Sequence, residues 1–148
     1  MPQEIPANPR AAQMRVLALA PWADFDKLTQ PFAEHPHHIL RGPEVGLVML
    51  RGRMGGGGAA FNFGEATVTR CTVKLADGTE GHAYVMGRNG DHAKRAALCD
   101  ALLQTQEAER LRFVLAKLEA AHSEQRASNA AKTAATKVDF FTLVRGDV

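Results

Sequence analysis

The sequence has few of the residues on which several classes of protein depend. Its 148 residues include only two cysteines, Cys71 and Cys99, which excludes a disulfide framework and an all-cysteine zinc site. The chain has only nine aromatic residues, namely seven phenylalanines, one tryptophan and one tyrosine, and its net charge is only +2. Neither a base-stacking platform nor a basic nucleic-acid surface is therefore supported. The longest strongly apolar run is about five residues, too short for a membrane helix.

The single tryptophan is Trp22 and the single tyrosine is Tyr84. The N-terminus also lacks a basic region followed by a long apolar one, so we expect no secretory signal and a cytoplasmic location.

The size and composition are those of one ordinary globular unit. At roughly 100–200 residues per domain, the length predicts a single domain over residues 1–148. Hydrophobic residues make up 45% and charged residues 23% of the chain, which is typical of a protein with a buried core.

Helical signals occupy the first third of the chain. Asn8 and Pro9 are typical of a helix start, because asparagine caps free N–H groups and proline at the first position needs none. This helix is predicted to run to about Ala20, where Pro21 ends it. A second short helix is predicted over residues 23–32.

The last third is also predicted to be helical. Asp91 is expected to cap a helix that begins near His92 and has a wide apolar face. Residues 107–122 repeat leucine at helical spacing. Residues 123–137 are polar and alanine-rich, and their pattern fits a helix, a linker or both.

The middle of the chain is rich in strand-forming residues. Strands are predicted near 37–41 and 45–53, ahead of a flexible break at the four glycines 55–58. Two further runs flank Asp77-Gly78, a dipeptide that favours a two-residue hairpin turn. The order of helices, antiparallel strands and helices predicts an α+β fold with about four strands.

The hairpin also yields a testable register. Counting back from a two-residue turn pairs Val73 with His82 and Cys71 with Tyr84. Tyr84 and Met86 are then expected on the same face as Cys71, and a slip of one residue would exchange the faces.

Two motifs resemble known sites without their context. The glycine run fits G-x-G-x-x-A, but a strand follows it and no Lys-Ser/Thr pair is present, so both nucleotide-loop mechanisms lack support. His35, His37 and His38 lie close together, and His82 could approach them, but no Asp or Cys has helpful spacing. We therefore expect no metal site.

Glu65 and Arg70 are weak catalytic candidates. They lie five residues apart and would face opposite sides of a regular strand. The default interpretation is that each forms structural ion pairs with other residues. A role in a shared active site is the alternative.

A second set of candidates surrounds the start of the third helix. A helix N-terminus offers free N–H groups and a partial positive charge to an anion. Arg88 adds a guanidinium that suits phosphate or phosphonate oxygens, and Asn89 and His92 lie beside it. The alternative is that Asp91 simply caps the helix.

The C-terminal segment is strongly apolar. Residues 138–144 include Phe140, Phe141, Leu143 and Val144, and they follow a stretch with little to bury. Such a segment is expected either to dock on a partner or to form an edge strand of the sheet of its own domain.

Longer stretches of the sequence resemble a known family. Residues 61–103, with GEATVTR and GRNGDHA, and residues 136–147, with VDFFTLVRG, resemble the PhnG family. These proteins are the G subunit of the bacterial carbon–phosphorus lyase system. The resemblance covers essentially the whole chain, although Asn89-Gly90 replaces a more usual Asp and the four-glycine loop is longer than usual.

The resemblance implies a function that composition does not reveal. It implies a core complex with the H, I and J subunits, which transfers methylphosphonate to C1′ of the ribose of ATP and releases adenine. ATP would be a co-substrate of that complex, and this chain alone would bind no cofactor. An accessory subunit is the preferred interpretation. The alternative is a directly catalytic subunit that uses Glu65, Arg70, Arg88 and His92 at a phosphonate or triphosphate site.

Overall fold

The fold is an antiparallel three-stranded sheet with helices packed on one face. A computed structural model describes residues 8–138, and within them the predicted α+β class is confirmed. None of the helices in this range has the length and apolar character needed to cross a membrane. The elements are α1 (Pro9–Leu19), α2 (Trp22–Thr29), β1 (His37–Arg53), β2 (Ala60–Leu75), β3 (Glu80–Met86), α3 (Gly90–Leu102) and α4 (Ala108–Ala135).

The first two helices lie close to where the sequence predicts them. The side chain of Asn8 accepts a hydrogen bond from the backbone N–H of Arg10, 3.0 Å away, and Pro9 occupies the first helical position. In α2, Phe25 is fully buried, and a short 3₁₀ turn, Gln30–Phe32, continues the helix.

The first strand is longer than predicted. Strands expected separately at 37–41 and 45–53 form one strand, β1, so the sheet has three strands rather than about four in the described residues. Its pairing with β2 shifts register between Ile39 and Arg41 and again between Arg41 and Glu44. These irregularities accommodate Gly42 and Pro43 at a sheet edge without ending the strand.

The turn between β2 and β3 has a loop of three residues, not two. The N–H of Leu75 donates to the carbonyl of Thr79 at 2.9 Å, which leaves residues 76–78 in the loop. Gly78 has a φ of +92°, the left-handed geometry that glycine adopts without strain. The N–H of Thr79 donates to the Asp77 carboxylate at 2.8 Å, which holds the pKa of Asp77 below its usual range.

The extra loop residue moves the register by one position. Val73 pairs with Gly81 and Cys71 with Ala83, so the predicted pairing was wrong. Tyr84 is exposed while Ala83 is buried, which exchanges the predicted faces of β3. We call the side of the sheet that carries Cys71 and Val73 the covered face and the side that carries Arg70 and Tyr84 the open face.

Helix α3 lies on the covered face, and the other helices pack around it. Gly81 permits this close approach, because a Cβ there would stand 2.0 Å from the carbonyl oxygen of Ala97. The buried apolar side chains come from both layers. They include Leu17, Phe25, Cys71, Val73, Leu75, Ala83, Val85, Ala97, Leu98, Cys99, Leu102, Leu111, Leu115 and Leu118.

Helix α4 extends well past the predicted 107–122. It has 28 residues, so most of the polar stretch from Ser123 is helical. A turn at residues 103–107 separates α3 from α4. Leu111, Leu115 and Leu118 are buried, whereas every residue from Ser123 to Val138 is exposed.

The hairpin of β1 and β2 projects beyond the three-stranded region. β3 pairs with β2 only from Val68 to Lys74, whereas the pairing of β1 with β2 continues to Arg53 and Ala60. We call this two-stranded extension, residues 47–67, the arm. At the usual rise per residue of a strand, it spans about 25 Å.

Candidate functional site

Arg70 lies at the centre of a polar cluster on the open face. Its Nε is 2.6 Å from Oε1 of Glu44, its cross-strand neighbour on β1. Tyr84 is its partner on β3. Hydrogen bonding to Tyr84 and to Glu44 raises the pKa of the guanidinium. Arg41 also pairs with Glu44, so Arg70 takes part in the structural ion pair that the default interpretation predicts.

Further polar pairs continue along the same face. The hydroxyl of Thr72 lies 3.1 Å from Nδ1 of His82, and Nζ of Lys74 lies 3.7 Å from Oε1 of Glu80. Each pair joins directly opposite residues of β2 and β3. The open face next to β3 is therefore a row of cross-strand polar contacts, which help to fix the register.

His92 is buried on the other side of the sheet. It lies in the first turn of α3, with Nε2 2.8 Å from the carbonyl oxygen of Leu17. Its ring centroid is 4.3 Å from that of Phe25 and 5.6 Å from that of Trp22. Burial lowers the pKa of His92 below its ordinary value. The neutral ring thus donates from Nε2 to the carbonyl and joins α3 to α1.

Asn89, not Asp91, caps helix α3. The side-chain oxygen of Asn89 accepts a hydrogen bond from the backbone N–H of His92 at 3.0 Å. The helix begins at Gly90, which places Asn89 at the cap position and leaves Asp91 exposed in the first turn. The predicted Asp91 cap was wrong by two residues, because both residue types suit that position.

Arg88 is exposed immediately before this cap. The side chain of Asn89 already satisfies one of the free N–H groups at the helix start. An anion would therefore meet Arg88 and the remaining N–H groups. Anion binding by Arg88 and Asn89 stays a prediction.

The four candidate side chains do not surround one point. Arg70 lies on the open face, whereas His92 lies beneath α3 on the covered side. Glu65 is exposed on the arm, opposite Met49. The structure brings Arg70 together with Glu44 and Tyr84 instead. A catalytic role for Glu65, Arg70 or His92 stays a prediction.

The histidine cluster makes local contacts. Nδ1 of His37 lies 2.7 Å from the carbonyl oxygen of His35. Between residues 8 and 138, no group of three or more His, Cys, Asp or Glu side chains has a geometry that could hold a metal ion.

Similarity to known proteins extends over nearly the whole chain. A family model described as phosphonate metabolism protein PhnG matches residues 8–146. The chain belongs to the PhnG family. A PhnG-family relative from Rhizobium meliloti (strain 1021) is 43% identical over 146 residues, which cover 93% of this chain and 90% of that protein. That relative is named alpha-D-ribose 1-methylphosphonate 5-triphosphate synthase subunit PhnG. The family resemblance seen in the sequence is thereby confirmed.

The matched region of this PhnG-family chain includes the C-terminal segment. Phe140, Phe141, Leu143 and Val144, the predicted docking residues, lie outside the described residues. The exposed second half of α4 precedes these residues in the chain. A groove lies between this part of α4 and helix α1. The groove has a volume of about 640 Å³ and is lined by residues that include Arg15, Leu19, Glu119, His122 and Arg126.

A partly buried ion pair, which the sequence did not predict, joins the layers of this PhnG-family fold. The carboxylate of Asp100 is fully buried in α3 and accepts hydrogen bonds from Nε of Arg10 at 3.1 Å and from Nη2 at 2.8 Å. It also accepts from the backbone N–H of His82 at 2.9 Å. The sequence signal for this ion pair is Asp100 itself, an acidic residue within the apolar face of a predicted helix. A buried carboxylate needs hydrogen-bond or charged partners.

Proposed function

We propose that this chain is the G subunit of an alpha-D-ribose 1-methylphosphonate 5-triphosphate synthase. In that role it acts with the H, I and J subunits when a phosphonate is transferred to C1′ of the ribose of ATP and adenine is released. The observation that carries the proposal is the 43% identity to a protein of that name, which extends over 93% of this chain. ATP is then the co-substrate of the assembly, and the reaction takes place in the cytoplasm.

Within the assembly, we propose an accessory role for this subunit. A catalytic site in the isolated chain would need Glu65, Arg70, Arg88 and His92 around one anion. Arg70 and His92 instead lie on opposite sides of the sheet, and the buried His92 ring is engaged with the carbonyl of Leu17. These contacts favour structural roles for both residues.

Adenine release tests the proposal. We expect the purified chain, incubated with ATP and methylphosphonate, to release no adenine, and the complex of G, H, I and J subunits to release it. A mixture from which only this chain is omitted is the matched control and should lose the activity. Adenine release by the isolated chain at a rate comparable to that of the complex would overturn the accessory role. Undiminished activity without the chain would overturn the proposed function itself.

A further inference from the structure

The arm exposes apolar side chains that the rest of the described chain does not cover. Leu47, Met49 and Phe63 are 63%, 57% and 59% exposed. Phe61 is exposed on the arm as well, and Val45 is exposed at its base. A two-stranded hairpin is at best marginally stable in water without a third strand or a helix against it. An arm about 25 Å long with this composition therefore needs cover.

One face of the arm combines an apolar row with a cationic end. Val45, Leu47 and Met49 share a face, because alternate residues of a strand point the same way. The same alternation continues with Arg51 and Arg53 towards the tip. In the described residues neither arginine forms an ion pair, although Nη1 of Arg53 donates to the carbonyl of Gly58 at 3.1 Å.

The charges on this face indicate the chemistry of what covers it. The part of β2 that lies in the arm has one carboxylate, Glu65, which is opposite Met49. The two arginines, Arg51 and Arg53, therefore outnumber the acidic residues of the arm. A second copy of the chain would bring the same excess of arginine to the contact. A surface that is apolar in the middle and acidic where it meets the tip complements the arm better.

We propose that the arm is a docking element, and that it inserts into an apolar groove with acidic residues at one end on another subunit of the synthase. This inference rests on the proposed function, which supplies the multi-subunit assembly. Leu47 and Met49 fill the groove, and Arg51 and Arg53 meet its carboxylates. The arm and the C-terminal segment are different parts of the sequence, so docking by both would give the chain two contacts with its partners.

Co-purification of matched variants tests this inference. Leu47→Glu places a charge in the apolar row and should weaken binding to the H, I and J subunits by roughly 30-fold or more, as expected for a residue at the centre of an interface. Phe113→Glu is the control, because Phe113 is 65% exposed on α4, which packs mainly against α1 and α2 rather than against the strands of the arm. It should bind as the wild type does. Both variants change exposed positions, so circular dichroism should show the wild-type fold for each.

A charge-reversed tip provides a second measurement. Arg51→Glu with Arg53→Glu should weaken binding, whereas lysine at both positions should largely preserve it. Binding of the wild type should weaken as salt is raised, and the reversed variant should lose that dependence. Amide hydrogen exchange of residues 47–67 should slow when the complex forms.

The outcomes separate this inference from the proposed function. If the wild type binds the other subunits and Leu47→Glu binds equally well, the arm is not the docking element, while the proposed function stands. If the isolated wild type is a dimer that Leu47→Glu dissociates without affecting co-purification, a second copy covers the arm and the inference is overturned. If the wild type binds none of the subunits, the proposed function fails and this inference fails with it.

Discussion

Gly81 lies where helix α3 approaches the sheet closely. An added Cβ would lie 2.0 Å from the carbonyl oxygen of Ala97 and 2.5 Å from the backbone nitrogen of Ala101. Both are backbone atoms, so a methyl group can be accommodated only if the helix moves off the sheet. The absence of a side chain at this position therefore sets the spacing between the two layers.

Gly81→Ala should lower the free energy of unfolding by about 1–3 kcal/mol or more, the usual cost of overpacking a core. Gly64→Ala is the matched control, because Gly64 also lies in a strand but has open space around its Cβ position. Urea unfolding of both variants measures the difference. Equal stabilities of the two variants would contradict the close packing of α3 on β3.

His92 makes the stability of the fold sensitive to acid. Burial lowers its pKa in the folded protein below the ordinary value of 6.5. Well above pH 6.5 the ring is neutral in both the folded and the unfolded states, so its packing contributes fully. As the pH falls below that value, the unfolded chain takes up a proton that the folded chain resists, and stability is lost down to the folded pKa.

The variant His92→Gln should reduce this acid sensitivity, since glutamine has an N–H donor for the carbonyl of Leu17 but does not titrate. We expect the wild type to lose up to about 1.4 kcal/mol per pH unit more than the variant below pH 6.5. Melting temperatures of both proteins between about pH 5 and pH 8 provide the measurement. Parallel curves would show that the pKa of His92 does not differ between the folded and unfolded states.

Among the elements, α4 has two halves with different surroundings. Its first half buries Leu111, Leu115 and Leu118, whereas the residues from Ser123 onward are exposed. The helix therefore continues past the core and leads to the apolar C-terminal segment. The docking of that segment on a partner subunit stays a prediction.

Deleting residues 138–148 should leave the helices and sheet folded and weaken co-purification with the other subunits. Two phenylalanines and two aliphatic residues could contribute several kcal/mol, at roughly 1.5–3 kcal/mol for each fully buried large side chain. Ordering the segment offsets part of that contribution. The melting temperature of the isolated variant is measured alongside its binding. A markedly unstable variant that still assembles normally would favour an edge strand over a docking segment.

At the scale of the whole molecule, the described surface offers both polar and apolar regions to a partner. The polar pairs around Arg70 lie on the open face beside β3, where Tyr84 and Met86 are also exposed. The arm adds Leu47, Met49, Phe61 and Phe63. A small subunit with this distribution contributes surface to an assembly. That is consistent with the accessory role proposed for this chain.

Local features of the sequence determined the elements of the fold. The Asn8-Pro9 start, the leucine spacing of α4 and the β-rich runs act over one or two turns, so their effect can be predicted without the rest of the chain. Family membership likewise followed from the sequence, because the segments that resemble the PhnG family are spread over nearly all 148 residues.

Tertiary structure decided the register and the surroundings of each candidate residue. The three-residue loop at Gly78 placed Tyr84 beside Arg70. The Asp77-Gly78 dipeptide is compatible with a loop of two or of three residues, so the local sequence does not decide the register. The burial of His92 depended on Leu17, which is 75 residues away in the chain. Such long-range contacts form only when the helices pack on the sheet. The spacing of residues along the chain does not determine which distant surfaces come into contact.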